Sequence, residues 1–143
     1  MLIQAYLFFD GRCEEAIDFY RTAIGAEIQM LMRFKEAPEQ GENCMMPPDS
    51  ADKVMHAAVR VGDTTVMMSD GRCSGNPQFA GISLSITADD DAAAKRIFSA
   101  LEQGGMVQMP LGETFFATLF GMVQDRFGVS WMVIVPRPEM THA

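Results

Sequence analysis

A strand–helix–strand segment occurs twice in this chain, and few folds accommodate such a repeat. The first copy runs from residue 6 to residue 32 as YLFFDGRCEEAIDFYRTAIGAEIQMLM. The second runs from residue 82 to residue 109 as ISLSITADDDAAAKRIFSALEQGGMVQM. Gly25, Gln29 and Met30 return as Gly104, Gln108 and Met109, each 79 positions later. In each copy an alternating run gives way to apolar residues at helical spacing: Ala16, Ile17, Tyr20 and Ile24 in one, Ala94, Ile97, Phe98 and Leu101 in the other. Gly25 and the Gly104-Gly105 pair stop the helices. One of Asp89, Asp90 and Asp91 supplies the second helix with an N-cap.

The segments after the two copies are also alike. Residues 54–61 and 64–69 alternate as two strands around a Gly62-Asp63 hairpin signal. Residues 117–124 and 129–135 do the same later in the chain. The predicted order is therefore β-α-β-β-β twice, an α+β class. Module one covers about residues 1–70 and module two about 80–136, within a single domain spanning 1–143. A tail from 137 to 143 is expected to fray.

One helix covers one face of each four-stranded sheet. The other faces are left to form a trough. Ile3, Ala5, Leu7 and Phe9 belong to the helix side, as do Ile82, Leu84 and Ile86. Gln4, Tyr6, Phe8, Gly81, Ser83 and Ser85 then face the trough. On residues 54–61, His56, Ala58 and Arg60 share the trough side. Polar and aromatic side chains thus collect on the face not needed for a core, a pattern that suits a ligand. Residues 35–53 are rich in proline and break both periodicities; a loop of this length suggests a flap.

Composition removes several function classes. The net charge is −8, with no basic stripe for a phosphate backbone. No apolar run reaches the length of a membrane span, and the N-terminus lacks the pattern of a signal peptide. Cytoplasmic location is expected. Cys13, Cys44 and Cys73 are scattered outside any CxxC pair and read as reduced thiols.

At this point YLFFDGRCEEAIDFYRTAIG, VMMSDG and QDRFGVSWMV resemble the PhnB-like group of the vicinal oxygen chelate superfamily. That superfamily includes glyoxalase I, extradiol dioxygenases and the bleomycin and fosfomycin resistance proteins. The group also carries a demethylubiquinone methyltransferase-like label, although no strand–GxGxxG–helix arrangement is present to seat an adenosyl cofactor. The resemblance implies a glyoxalase-like fold, a cup-shaped trough and a homodimer. It also places the superfamily's four metal positions at Gln4, Met68, Gly81 and Met132. One amide and two thioethers make a poor site for a divalent ion, so no metal or other cofactor is expected.

The expected function is binding of a small molecule in the trough, without a metal and without an assigned catalytic residue. The candidate ligand-binding residues are Gln4, Tyr6, Phe8, His56, Arg60, Met68, Asp70, Ser83 and Met132. Arg60 would hold an anionic group. His56 reads either as an acid–base group or as an ordinary hydrogen-bonded histidine. The alternative is a divalent-metal-dependent lyase or isomerase with substituted ligands, for instance around His56, Asp70 and Cys73. A structural interaction module is the third reading. Trp131 is expected in the core. Phe115 and Phe116 either cap the trough or pack.

Overall fold

The computed structural model describes residues 1–36, 50–71 and 76–138. The chain divides into two compact units, residues 1–77 and 78–143. Each is a βαβββ module. The first contains β1 (Tyr6–Phe8), α1 (Cys13–Ile24), β2 (Glu27–Arg33), β3 (Val54–Val61) and β4 (Thr64–Ser69). The second contains β5 (Leu84–Thr87), α2 (Asp91–Glu102), β6 (Met106–Gly112), β7 (Ala117–Gln124) and β8 (Ser130–Pro136). The sheet orders are β1-β4-β3-β2 and β5-β8-β7-β6. In each, the first strand runs parallel to its neighbour and the other pairings are antiparallel.

The helices form where the apolar stripe lies. In α1 the buried positions are Cys13, Ala16, Ile17 and Tyr20. They meet a sheet face that buries Leu7, Phe9, Ala57, Val59 and Met68. The rings of Phe9 and Tyr20 lie 6.1 Å apart. Each large side chain buried here contributes about 1.5–3 kcal/mol. Gly25 ends α1 in the left-handed region, at φ 68°, where a side chain would be strained. In the second unit Ala94, Phe98 and Leu101 of α2 share the core with Val123, Trp131 and Val133. Asp90 caps α2 by accepting from the Ala93 N–H at 2.7 Å.

Trp131 lies in this core, 5% exposed. Its indole N–H donates to Asp125 Oδ2 at 2.8 Å. Asp125 Oδ1 accepts from the backbone N–H groups of Phe127 and Val129. One buried carboxylate therefore shapes the β7–β8 turn and orients the tryptophan below it.

The first strand of each unit is shorter than its alternation predicts. Ile3 is 89% and Ile82 55% exposed, so neither joins the helix-side core. Among the described residues both strands lie at a sheet edge and pair on one side only, which leaves fewer hydrogen bonds to hold their ends. The predicted tail also needs correction at Arg137. Its guanidinium donates to the Thr114 carbonyl and to Glu113, and its backbone N–H donates to Phe116 O. Residues 37–49 hold most of the expected flap, and 139–143 most of the tail; both lie outside the described residues, as do Cys44 and Cys73.

Candidate functional site

The uncovered face of the first sheet is built by register. Counting outward from the Gly62-Asp63 turn, Val61 pairs with Thr64, Arg60 with Thr65 and Ala58 with Met67. Tyr6 also pairs with Met67. Paired residues share a face, so Tyr6, Met67 and Ala58 lie side by side, away from the helix. Phe8, His56 and Arg60 follow at two-residue steps on the same face.

Two of these side chains are joined. The Tyr6 hydroxyl and His56 Nδ1 are 2.9 Å apart, with ring centroids 5.5 Å apart. The Phe8 ring stands 4.9 Å from that of Tyr6 and is 56% exposed. Toward the other end of the face, Gln4 Nε2 donates to the Thr65 carbonyl at 3.4 Å. The Thr65 hydroxyl donates to Gln29 Oε1 at 3.0 Å. Arg60 is ion-paired with Glu27 at the surface. Exposed pairs of this kind contribute under about 1 kcal/mol, so an incoming anion can displace Glu27 at little cost.

Two predicted site residues lie elsewhere. Met68 is in register with Leu7 and Ala57 and is 2% exposed. It points under the helix, and its neighbour Met67 holds the open-face position. Asp70 is buried too. Its Oδ1 accepts from the N–H groups of Gly11 and Cys13, at 3.0 and 2.6 Å. Its Oδ2 accepts from the Val54 N–H at 2.6 Å. Asp70 is thus a structural anchor, and its engagement argues against a cluster with His56 and Cys73. Sequence reasoning missed Met67 because a strand with methionine at both parities looks the same from either side. The hairpin register could have separated them.

In the second unit Ser85 pairs with Met132, and Met122 pairs with Met132. These three share the open face, whereas Trp131 and Val133 face the helix. A depression of about 570 Å³ opens at the Ser83 end. There the Ser83 and Ser130 hydroxyls are 2.8 Å apart, and Ser130 Oγ lies 2.9 Å from Gln108 Oε1. Phe115 is 86% exposed and meets Phe116 edge-on at 5.1 Å, while Phe116 meets Phe120 at 5.2 Å.

Matching the two registers places Gln4 with Ser83 and Met67 with Met132. Gly81 is not the counterpart of Gln4. The four corresponding positions thus offer one amide, one hydroxyl and two thioethers. None is an imidazole, carboxylate or thiolate, the donors that hold zinc, nickel or ferrous iron. This donor set does not fit such an ion. Among the described residues, no group of three or more His, Cys, Asp and Glu side chains is gathered as a metal site.

Mixed four-stranded sheets, each with one helix after its first strand, define the glyoxalase-like architecture of the vicinal oxygen chelate superfamily. The fosfomycin resistance protein FosX of Mesorhizobium loti has this fold at a TM-score of 0.64 and 11% identity, over 97% of this chain and 94% of that one. Within the superfamily, residues 2–134 match the family model described as 3-demethylubiquinone-9 3-methyltransferase, and the chain belongs to this PhnB-like family. It is 37% identical to protein YjdN of Escherichia coli K12, over 99% of both chains. The crystal structure of protein PA1353 from Pseudomonas aeruginosa is similar at 42% identity and a TM-score of 0.81, covering 95% of this chain and 98% of that one. The PhnB protein of Bacillus cereus is similar at 29% identity and 0.76, covering 94% and 99%.

Proposed function

We propose that this protein binds a small aromatic molecule on the open face of its first sheet, without a divalent metal. The supporting observation is the Tyr6–His56 hydrogen bond beside the exposed Phe8 ring. Phe8 and Met67 offer apolar surface, and the Tyr6–His56 pair offers a donor and an acceptor beside it. Arg60 can take an anionic substituent from Glu27. A ligand held this way needs no Lewis acid. The donor set at the superfamily's metal positions supports that reading.

The assembly we propose is a cytoplasmic homodimer. The edge strands β2 and β6 expose Ile28, Met30, Met106 and Met109. Apolar edges of this kind are ordinarily covered, and a second copy would cover them. Among the described residues, no helix is long and apolar enough to cross a membrane.

Thermal-shift screening of chelator-treated protein against phenols and aromatic acids tests the binding reading. A stabilising compound is expected, and titration calorimetry should show about tenfold weaker binding to His56→Ala, the loss of roughly one hydrogen bond. Equal binding to His56→Ala and Tyr6→Phe would count against this face. Binding that requires an added divalent ion would favour the metal-dependent lyase or isomerase reading.

A further inference from the structure

The depression in the second unit has a composition of its own. Its lining includes Ser83, Gln108, Gln124 and Ser130, with Phe79 and Met122 as apolar surface, and among the described residues no ionisable side chain contributes to it. The four polar groups form a chain that runs in one direction. The Ser83 hydroxyl donates to Ser130 Oγ, Ser130 donates to Gln108 Oε1, and Gln108 Nε2 donates to Gln124 Oε1 at 3.5 Å. A chain so directed has unlike ends. Ser83 Oγ finishes as an acceptor and Gln124 Nε2 as a donor.

Gly128 stands at the donor end, in a backbone conformation, φ 94°, that favours glycine. A Cβ on Gly128 would stand 3.7 Å from Gln124 Nε2 and 4.0 Å from the Phe79 ring. The two units differ at this corner. Where the second pairs Gln124 with Met106, the first pairs Arg60 with Glu27. The charged pair of one module is thus replaced by an amide and a thioether in the other.

We propose that this depression is a binding subsite for an uncharged group carrying one hydrogen-bond donor and one acceptor, of the primary carboxamide class. The ligand N–H donates to Ser83 Oγ, and its carbonyl accepts from Gln124 Nε2. The apolar remainder lies on Phe79 and Met122. A carboxylate of the same shape gains one of these bonds but meets a second acceptor at Ser83 and, among the described lining residues, no cation to offset its lost hydration. The subsite lies within the second unit and stands whether or not the first sheet binds an aromatic molecule.

Benzamide and benzoate differ in charge and donor count but hardly in shape, so they are suitable probes. The full-length ¹⁵N-labelled protein would be titrated with each by NMR. Benzamide should move the side-chain amide resonances of Gln108 and Gln124, and benzoate should move those two amides only at about tenfold or higher concentration, whatever it does at the first sheet. Ser83→Ala and Gln124→Leu should each weaken benzamide about fivefold or more with backbone dispersion retained. His56→Ala, which acts on the first sheet, should leave the shifts of the Gln108 and Gln124 side-chain amides unchanged. Benzoate moving these two amides as readily as benzamide, amides unmoved up to the solubility limit, unaffected shifts in both subsite variants, or loss of the shifts in His56→Ala would each overturn the proposal. The last outcome would assign the probe to the first-sheet face and leave that reading intact.

Discussion

A carboxylate at position 70 caps a helix that begins more than fifty residues earlier. The N-cap position of α1 is Arg12, which makes no side-chain capping bond. The Gly11 and Cys13 N–H groups would be left unpaired there without Asp70. Removing the carboxylate strands three backbone donors, two of them buried. Asp70→Ala should therefore lose about 3–5 kcal/mol of stability, measured by urea unfolding, whereas substitution of an ordinary surface aspartate should change it little.

Beside this carboxylate, burial and the charges of Asp70 and Glu14 push the Cys13 thiol far above the ordinary thiol range. Cys13 should therefore resist iodoacetamide at pH 8 in the folded protein and react on unfolding, read by peptide mass spectrometry. The pH dependence has a definite sign. The native state keeps the thiol neutral, so its contribution is fully present below the ordinary thiol pKa of about 8.5 and lost as pH rises beyond it. The stability difference between wild type and Cys13→Ala should shrink by roughly 1.4 kcal/mol per pH unit above that point. A difference constant between pH 7 and pH 10 would contradict the burial argument.

At the scale of elements, the helices are the most legible parts of the sequence. Each has an apolar stripe at helical spacing and a glycine near its end, and both observed helices match the predicted segments closely. Edge strands are less legible, because alternation persists beyond the point where hydrogen bonding stops; hence the overlong β1 and β5. Met67 and Met68 show the other limit. Period-two reading separates faces only when they differ in polarity, and a one-residue slip exchanges them.

Gly105 carries a constraint beyond the helix stop that its position in the sequence suggests. In the fold it lets β6 begin against the β7–β8 turn, and a Cβ there would stand 2.1 Å from the Gln124 carbonyl oxygen and 2.9 Å from Asp125 Cα. Both neighbours are backbone, so relief requires the strands to part. Gly105→Ala should cost about 2 kcal/mol or more and accelerate amide exchange across β6 and β7. Unchanged exchange would show that the turn yields without the strands.

Across the whole molecule, duplication explains why so much of the fold can be read. The offset of 79 residues that relates Gly25 to Gly104 also relates Gln4 to Ser83 and Tyr6 to Ser85, which have corresponding places in the two sheets. Alternation puts Gln4, Tyr6, Phe8, His56 and Arg60 together, and the structure gathers them on one face. It does not foresee the Tyr6–His56 bond, since strands 50 residues apart meet only through β4. Nor does it foresee the polar chain from Ser83 to Gln124, which depends on the register of four strands.

The open faces of this protein carry amides, hydroxyls, thioethers, the Arg60 guanidinium and an imidazole bonded to tyrosine, and the metal-free binding proposed above rests on that chemistry. The most direct measurement is metal content by mass spectrometry, after equilibrating the untagged protein with excess zinc, nickel, manganese and ferrous iron and dialysing exhaustively. Metal-free recognition predicts that no ion is retained. One ion held tightly per chain would contradict it.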